Sequence, residues 1–144
     1  MKSHKGFTML EITVAILIVG LLVATAVPLL SGRIDASKWS EARTTMDTIA
    51  SALRSYAAQK GSFANAPTLA ELGLSNDRLD GAYFSHQAYA ITSACAVDGR
   101  VAFEITCTAA KSVRGGKPCS PARMTLTSNA TNNYGTTFAE SNGS

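Results

Sequence analysis

The sequence contains few of the side chains that catalysis and metal binding need. Its 144 residues include two histidines and three cysteines, none in a metal-ligand spacing such as Cys-x-x-Cys or His-x-x-x-His. It also has no Gly-rich phosphate loop and no Ser/His/Asp arrangement. We therefore expect no enzyme activity, no metal site and no cofactor, and we interpret His86 as a structural or solvent-exposed residue.

The chain also has little net charge once its first six residues are set aside. It carries 13 Lys and Arg against 10 Asp and Glu, and because Lys2 and Lys5 precede residue 7, the remainder carries 11 against 10. Such a balance produces no whole-molecule field for nucleic acid, so polyanion binding would need a local cluster. The candidate cluster, which could contact DNA or another acidic surface, comprises Lys111, Arg114, Lys117 and Arg123.

One segment has no charge at all and is long enough to cross a bilayer. It runs from Ile12 to Leu30, with two threonines as its only hydroxyl side chains. Because basic residues precede it, the positive-inside bias places the N-terminus in the cytoplasm and the rest of the chain across the membrane. An ordinary secretory signal cleaved after Ala26, or a plain single-span anchor, are the alternative interpretations.

A second helical pattern follows the apolar segment. Between Trp39 and Ala57, apolar residues recur at three- and four-residue steps, which indicates one buried helix face. Gly61 is a suitable stop, so the two patterns can form one helix from about Phe7 to Lys60, roughly 80 Å long at ~1.5 Å per residue. A small domain cannot cover such a helix, so its first half must be buried in lipid or against other copies.

The C-terminal half has the alternation of a small antiparallel sheet. Two alternating runs, 89–97 and 100–107, flank Asp98-Gly99, which is a hairpin signal. A two-residue loop would pair Ala96 with Val101. A three-residue loop would instead align Tyr89, Ile91 and Cys95 with Val101, Phe103, Ile105 and Cys107, and we favour it because it puts the larger apolar residues on one face.

The remaining segments complete an α+β prediction. Thr68-Leu-Ala-Glu71, followed by Gly73, predicts a short helical turn, and 123–128 supplies a third strand. The tail from Asn129 to Ser144 is rich in Asn, Thr, Gly and Ser, so we expect it to be irregular. The predicted fold is a long N-terminal helix whose second half packs on a sheet of three or four antiparallel strands.

The three cysteines suggest one disulfide and one leftover thiol. In the favoured register, Cys95 and Cys107 lie about six residues apart along the ladder, roughly 20 Å, which is too far for a bridge. We therefore predict a Cys107–Cys119 pair, with Cys95–Cys119 as the alternative. A disulfide favours an oxidising compartment.

Glu11 is the most informative residue of the N-terminal segment. A lone carboxylate at the start of a membrane helix costs several kcal/mol unless it is paired. If the chain were cut between Gly6 and Phe7, the new α-amino group would lie one helical turn from Glu11. Its positive charge could form an ion pair with the carboxylate of the same or an adjacent subunit, and such a pair can fix the stagger between helices.

The first 30 residues resemble the type IV pilin family, including the pseudopilins of type II secretion. The resemblance rests on the leader ending at Gly6, the Phe-Thr-Met-Leu-Glu stretch at 7–11, and the apolar helix with Gly20 and Pro28. It implies that a membrane prepilin peptidase cleaves after Gly6 and N-methylates Phe7. It also implies that Glu11 pairs with a neighbour's Phe7 amine, and that Gly20 and Pro28 mark where the helix loosens.

The resemblance also implies an organisation and a function. The chain would comprise a leader at 1–6, a transmembrane and polymerisation helix at 7–30, an amphipathic half at 31–60 and a head at 61–144. It would be a structural filament subunit whose partners are copies of itself, the peptidase, the inner-membrane assembly platform and, before assembly, membrane lipid. It would first lie in the inner membrane and then in an extracellular or periplasmic filament. A pseudopilin, or a minor pilin that takes up DNA, are the alternatives.

Overall fold

The computed structural model describes residues 7–109, 116 and 118–142. The helices are α1, Met9–Lys60, and α2, Asn76–Leu79. The strands are β1, Tyr89–Val97; β2, Arg100–Thr108; β3, Arg123–Ser128; and β4, Thr137–Ser141. Two 3-10 turns, His86–Ala88 and Ala130–Asn132, precede β1 and follow β3. The predicted α+β class, with a long N-terminal helix packed on four antiparallel strands, is confirmed.

The chain divides into two compact units, Met1–Ile34 and Asp35–Ser144. In the first unit, α1 begins at Met9, and all described side chains from Phe7 to Leu30 are exposed. In the second unit, the later part of α1 packs against the sheet and encloses the hydrophobic core.

The helix face predicted between Trp39 and Ala57 forms one wall of the core. Six of its side chains are at most 3 % exposed and Ala57 is 5 % exposed, whereas Tyr56 is half-buried. Burying each large apolar side chain contributes ~1.5–3 kcal/mol to folding. The buried members of this face are Trp39, Ala42, Met46, Ile49, Ala50, Leu53 and Ala57. Across from them, the core contains Phe84, Tyr89, Phe103, Ile105, Cys107, Met124 and Leu126.

The end of α1 and the segment after it follow their sequence signals. Gly61 has a φ of 79°, and its N–H donates to the Ala57 carbonyl at 2.8 Å, as expected for a glycine that ends a helix. Thr68 and Glu71 form the predicted reciprocal cap, with the Thr68 N–H donating to the Glu71 carboxylate at 2.6 Å and the Glu71 N–H to the Thr68 hydroxyl at 3.3 Å. Only one turn forms there before α2.

The turn of the β1–β2 hairpin differs from the register that we favoured. Val97 pairs with Arg100, so Asp98-Gly99 is a two-residue loop, and the three-residue loop that we favoured is wrong. Both loop residues have positive φ values, 51° and 74°. A two-residue turn of this kind matches the right-handed twist of the strands, which explains why it replaces the longer loop.

Farther from the turn, a bulge restores the favoured alignment. The pairing shifts by one residue between Ile91 and Ser93, so that Ile91 faces Ile105 and Tyr89 faces Cys107. An inserted residue of this kind shifts the pairing on one side of the bulge by one residue relative to the pairing on the other side. The two registers that the sequence allows are therefore both present, one on each side of the bulge.

Strand β4 contradicts the expectation of an irregular tail after Asn129. It pairs along β3, with Leu126 facing Phe138 and Met124 facing Glu140. All five of its residues are exposed, because it is an edge strand. Its composition therefore lacks the apolar alternation from which a strand is predicted, and its position comes from backbone pairing and from Arg43, whose guanidinium lies 2.9 Å from the Glu140 carboxylate.

Candidate functional site

The N-terminal end of α1 is capped by Thr8. The Thr8 carbonyl accepts the Ile12 N–H at 3.2 Å, and its hydroxyl accepts the Glu11 N–H at 3.3 Å. Both bonds are those of an N-cap residue, which satisfies amides that have no partner within the helix. Thr8 is a functional-site residue that sequence reasoning missed, although Thr-x-x-Glu before an apolar run is a recognisable capping signature.

The cap places Glu11 in the first turn of α1, where its carboxylate is exposed. The positive end of the helix dipole stabilises an anionic side chain at this position. Phe7 precedes the cap and is 77 % exposed. Gly6, on the other side of the predicted cleavage point, lies outside the described residues, so the cleavage itself stays a prediction.

The side chains that follow Glu11 form a continuous exposed apolar surface. None of this surface is buried inside the structure, and α1 is the one helix within the described residues with the length and composition to cross a membrane. The hydroxyls of Thr13 and Thr25 donate to the Leu10 and Leu22 carbonyls at 2.8 and 3.0 Å. These threonines therefore satisfy their polar groups within the helix, which removes most of the cost of placing them in lipid or in an apolar bundle.

Gly20 and Pro28, both predicted assembly positions, lie within this stretch of α1. The helix continues through both residues without interruption. A Cβ added at Gly20 would meet nothing within 4 Å, so this glycine leaves room on the exposed surface for something outside the chain. The loosening of the helix at these positions stays a prediction.

In the second unit, Glu41 on α1 holds the segment before β1. Its carboxylate accepts the backbone N–H groups of Ala82, Tyr83 and Phe84 at 3.1, 2.9 and 3.1 Å. A Cβ at Gly81 would collide with this carboxylate, so a larger residue there would displace the Glu41 side chain from its present position. Sequence reasoning missed Glu41, because a single acidic residue on a helix gives no sign of the loop that it binds.

Asp35 and Lys38 hold a second loop, the one before β3. The Asp35 carboxylate accepts the N–H groups of Cys119 and Ser120 at 2.8 and 3.3 Å, and Lys38 donates to the Gly116 carbonyl at 3.2 Å. The two side chains also lie 3.9 Å apart, and Lys38 is only 8 % exposed. Gly116, Cys119 and Ser120 are therefore bonded to the beginning of the globular unit.

The three cysteines are unbonded in the structure and differ in environment. Cys95 and Cys119 are exposed, whereas Cys107 is fully buried. Burial raises the pKa of the Cys107 thiol to about 12, with a further contribution from the charge of Glu41. The Cys107–Cys119 pair stays a prediction.

The remaining sequence candidates are His86 and the predicted polyanion cluster. His86 bonds to Asp80 through its backbone N–H at 2.6 Å and through Nδ1 at 2.8 Å, and these bonds lower the pKa of Asp80. Within the described ranges, no three His, Cys, Asp or Glu side chains form a group that could hold a metal. Of the predicted polyanion cluster, Arg123 is exposed, while Lys111, Arg114 and Lys117 lie outside the described residues.

Comparison with known proteins places the N-terminal segment in a class. Residues 1–27 match the family model of the prokaryotic N-terminal methylation motif, which confirms the resemblance to leaders of type IV pilins and pseudopilins. No curated protein and no solved structure matches the chain. The motif, together with the helix and sheet, supports a type IV pilin-like or pseudopilin-like precursor. The family to which such motifs belong consists of structural subunits that are typically non-enzymatic. Its leader and apolar helix fit a precursor anchored in the inner membrane.

Proposed function

We propose that this protein is a structural subunit of a type IV pilus-like filament, cleaved between Gly6 and Phe7 and N-methylated at Phe7. The observation that carries the proposal is the methylation motif at residues 1–27, followed by the first half of a helix whose apolar side chains are not covered by any described residue. Such a surface is stable in lipid before assembly and against other copies afterwards, because both remove it from water.

Pairing of charges directs how the copies join. Cleavage creates an α-amino group on Phe7, and the Glu11 carboxylate lies in the first turn of the same helix. In a bundle of apolar helices an unpaired carboxylate is costly, so the favoured stagger is the one that brings a neighbour's amine to Glu11. Gly20 and Pro28 are the positions at which we expect the helix to adapt to that packing.

The chain meets its partners in a fixed order. A prepilin peptidase processes the precursor in the inner membrane, an assembly platform collects the mature subunits, and copies of the chain form the filament. The finished filament lies outside the inner membrane, either in the periplasm or beyond the cell.

Electron microscopy of cells that produce the protein at its natural level tests this function. A pilus subunit gives surface filaments that are lost on deletion of the gene and restored by the wild-type chain. If filaments are unchanged by the deletion and protein secretion stops instead, the chain is a pseudopilin. Restoration by a chain lacking residues 1–30 would contradict the proposal.

A further inference from the structure

Two arginines line one open groove on the globular unit. Arg54 comes from α1 and Arg100 opens β2 directly after the Asp98-Gly99 turn, while Tyr134 closes the groove from the segment before β4. The groove has a volume of about 360 Å3, within the range of ligand sites. Its lining comprises Arg54, Ala58, Gly99, Arg100, Val101 and Tyr134.

Each guanidinium is oriented by an aromatic ring. The Arg54 Cζ lies 5.4 Å from the centre of the Phe103 ring, and the Arg100 Cζ lies 5.5 Å from the centre of the Tyr134 ring. A cation held against a ring face is restricted in its rotation but keeps its N–H groups available. The two side chains are therefore positioned before any ligand binds.

Neither arginine forms an ion pair with a described residue. Within residues 7–109, 116 and 118–142, the ion pairs involve Lys38, Arg43 and His86, and none involves Arg54 or Arg100. Asp98, in the adjacent turn, is exposed and forms no ion pair with either. Because arginine stays protonated at any ordinary pH, the groove carries two positive charges that no described carboxylate pairs with.

Tyr134 is held in the groove by a strained backbone. Its φ is 58°, a left-handed conformation that a bulky residue rarely adopts. Its N–H donates to the Asn129 carbonyl at 2.8 Å, and its carbonyl accepts the hydroxyl of the buried Ser128 at 3.0 Å. Strain that is maintained by surrounding bonds often accompanies a binding function.

We propose that this groove binds a carboxylate side chain of an acidic protein partner. The arginine fork matches the two oxygens of a carboxylate, and the apolar wall of Ala58, Val101 and the Tyr134 ring suits the aliphatic stem that carries it. Nucleic acid fits less well, because it draws its affinity from many phosphate contacts and the groove offers only two cations. The site is independent of residues 1–30, which carry the proposed assembly function.

Titration of the full-length chain in zwitterionic detergent micelles tests the site. The probe is an octaglutamate peptide, and octaglutamine is the uncharged control. Binding of each peptide is measured by calorimetry at low salt. We expect octaglutamate alone to bind, and Arg54→Gln and Arg100→Gln each to weaken binding by at least about fivefold. Arg78→Gln is the matched control, because Arg78 is an exposed arginine of a different groove, and it should leave binding unchanged.

Two further measurements separate recognition from plain charge attraction. Arg100→Lys keeps a positive charge near the Tyr134 ring but loses the paired N–H groups of the guanidinium that match a carboxylate. We therefore expect it to weaken binding, although less than Arg100→Gln does. Equal loss in the Arg78 variant, or no binding of octaglutamate, overturns the proposal. Tighter binding of an octathymidylate through the same two arginines also overturns it, because the groove would then be a phosphate site.

Discussion

The hydroxyl oxygen of Thr8 accepts the backbone N–H of Glu11 at 3.3 Å, so the residue that caps α1 is bonded to the residue that carries its first charge. The distance between the Phe7 amine and the Glu11 carboxylate depends on where the helix begins. A helix that began one turn later would leave Glu11 on an irregular segment. The Thr8 cap therefore keeps Glu11 on the first turn of α1.

Removing the cap should loosen the first turn of α1. In Thr8→Ala, we expect the loss of about 1 kcal/mol of local helix stability, because an alanine cannot accept the Glu11 N–H. Hydrogen exchange of the Glu11 amide, measured by NMR on the mature chain in micelles, should become about fivefold faster. Thr8→Ser keeps a hydroxyl and should retain most of the protection, whereas equal exchange rates in all three chains would show that Thr8 does not cap the helix.

Neutralising Glu11 should separate membrane insertion from assembly. Glu11→Gln keeps the shape of the side chain but has no negative charge to pair with a neighbour's amine. Breaking a buried charge pair costs ~3–5 kcal/mol. We therefore expect normal insertion and cleavage but a filament yield at least about tenfold lower, counted by electron microscopy of sheared material. Glu11→Asp keeps the charge and should give an intermediate yield. Wild-type yield from Glu11→Gln would refute the pairing mechanism.

Loss of the Glu41 carboxylate should destabilise the globular unit. Glu41→Ala leaves the N–H groups of residues 82–84 without their acceptor, and we expect the free energy of unfolding to fall by about 2–3 kcal/mol. Fluorescence of Trp39, the single tryptophan, reports the change because its ring lies 5.1 Å from that of Phe84 in the anchored segment. Asp47→Ala removes an exposed carboxylate from the same helix and should change stability by less than ~0.5 kcal/mol. Equal losses in the two variants would show that the Glu41 bonds contribute nothing.

The reactivity of the cysteines should follow their burial. After reduction under native conditions, Cys95 and Cys119 should react with iodoacetamide at pH 8, whereas Cys107 should react only after unfolding, because it is buried and its pKa is raised to about 12. The pKa of the Cys107 thiol is about 9 in the unfolded chain and about 12 in the folded chain, so the folded chain keeps the thiol proton more tightly. The contribution of this thiol to the free energy of unfolding is therefore fully present below pH 9 and should be lost as the pH rises from about 9 towards 12. Rapid labelling of Cys107 in the folded chain would contradict this account.

The same labelling, done before reduction on protein recovered from the cell envelope, tests the predicted Cys107–Cys119 bond. If the bond forms there, Cys119 resists labelling until a reductant is added, while Cys95 reacts from the start. Labelling of Cys119 without reductant would exclude the pair.

Local signals in the sequence predicted much of this fold because each depends on neighbouring residues. Gly61 marks the end of α1, and Thr68 with Glu71 marks the reciprocal cap, since a helix end and a cap are formed by side chains within four positions of each other. Strand β4 was missed because its exposed residues have no apolar alternation, and its pairing with β3 is a non-local interaction.

The hairpin and the loop contacts show the same limit. Sequence reasoning offered both registers for the hairpin but could not place the bulge near Ile91 that reconciles them. Likewise, no sequence signal near Asp35 or Glu41 indicates the distant backbone N–H groups that donate hydrogen bonds to these carboxylates. The methylation motif was recognisable in the sequence because it is contiguous, whereas the groove at Arg54 and Arg100 combines three separate segments.

Intact-mass analysis of the mature protein is the most direct test of the central claim. Cleavage between Gly6 and Phe7 with N-methylation predicts a chain that lacks residues 1–6 and carries one additional methyl group. Fragmentation should locate that methyl group on the amine of Phe7. A mature chain that begins after Ala26, or one that retains its first six residues in a wild-type cell, would contradict the claim.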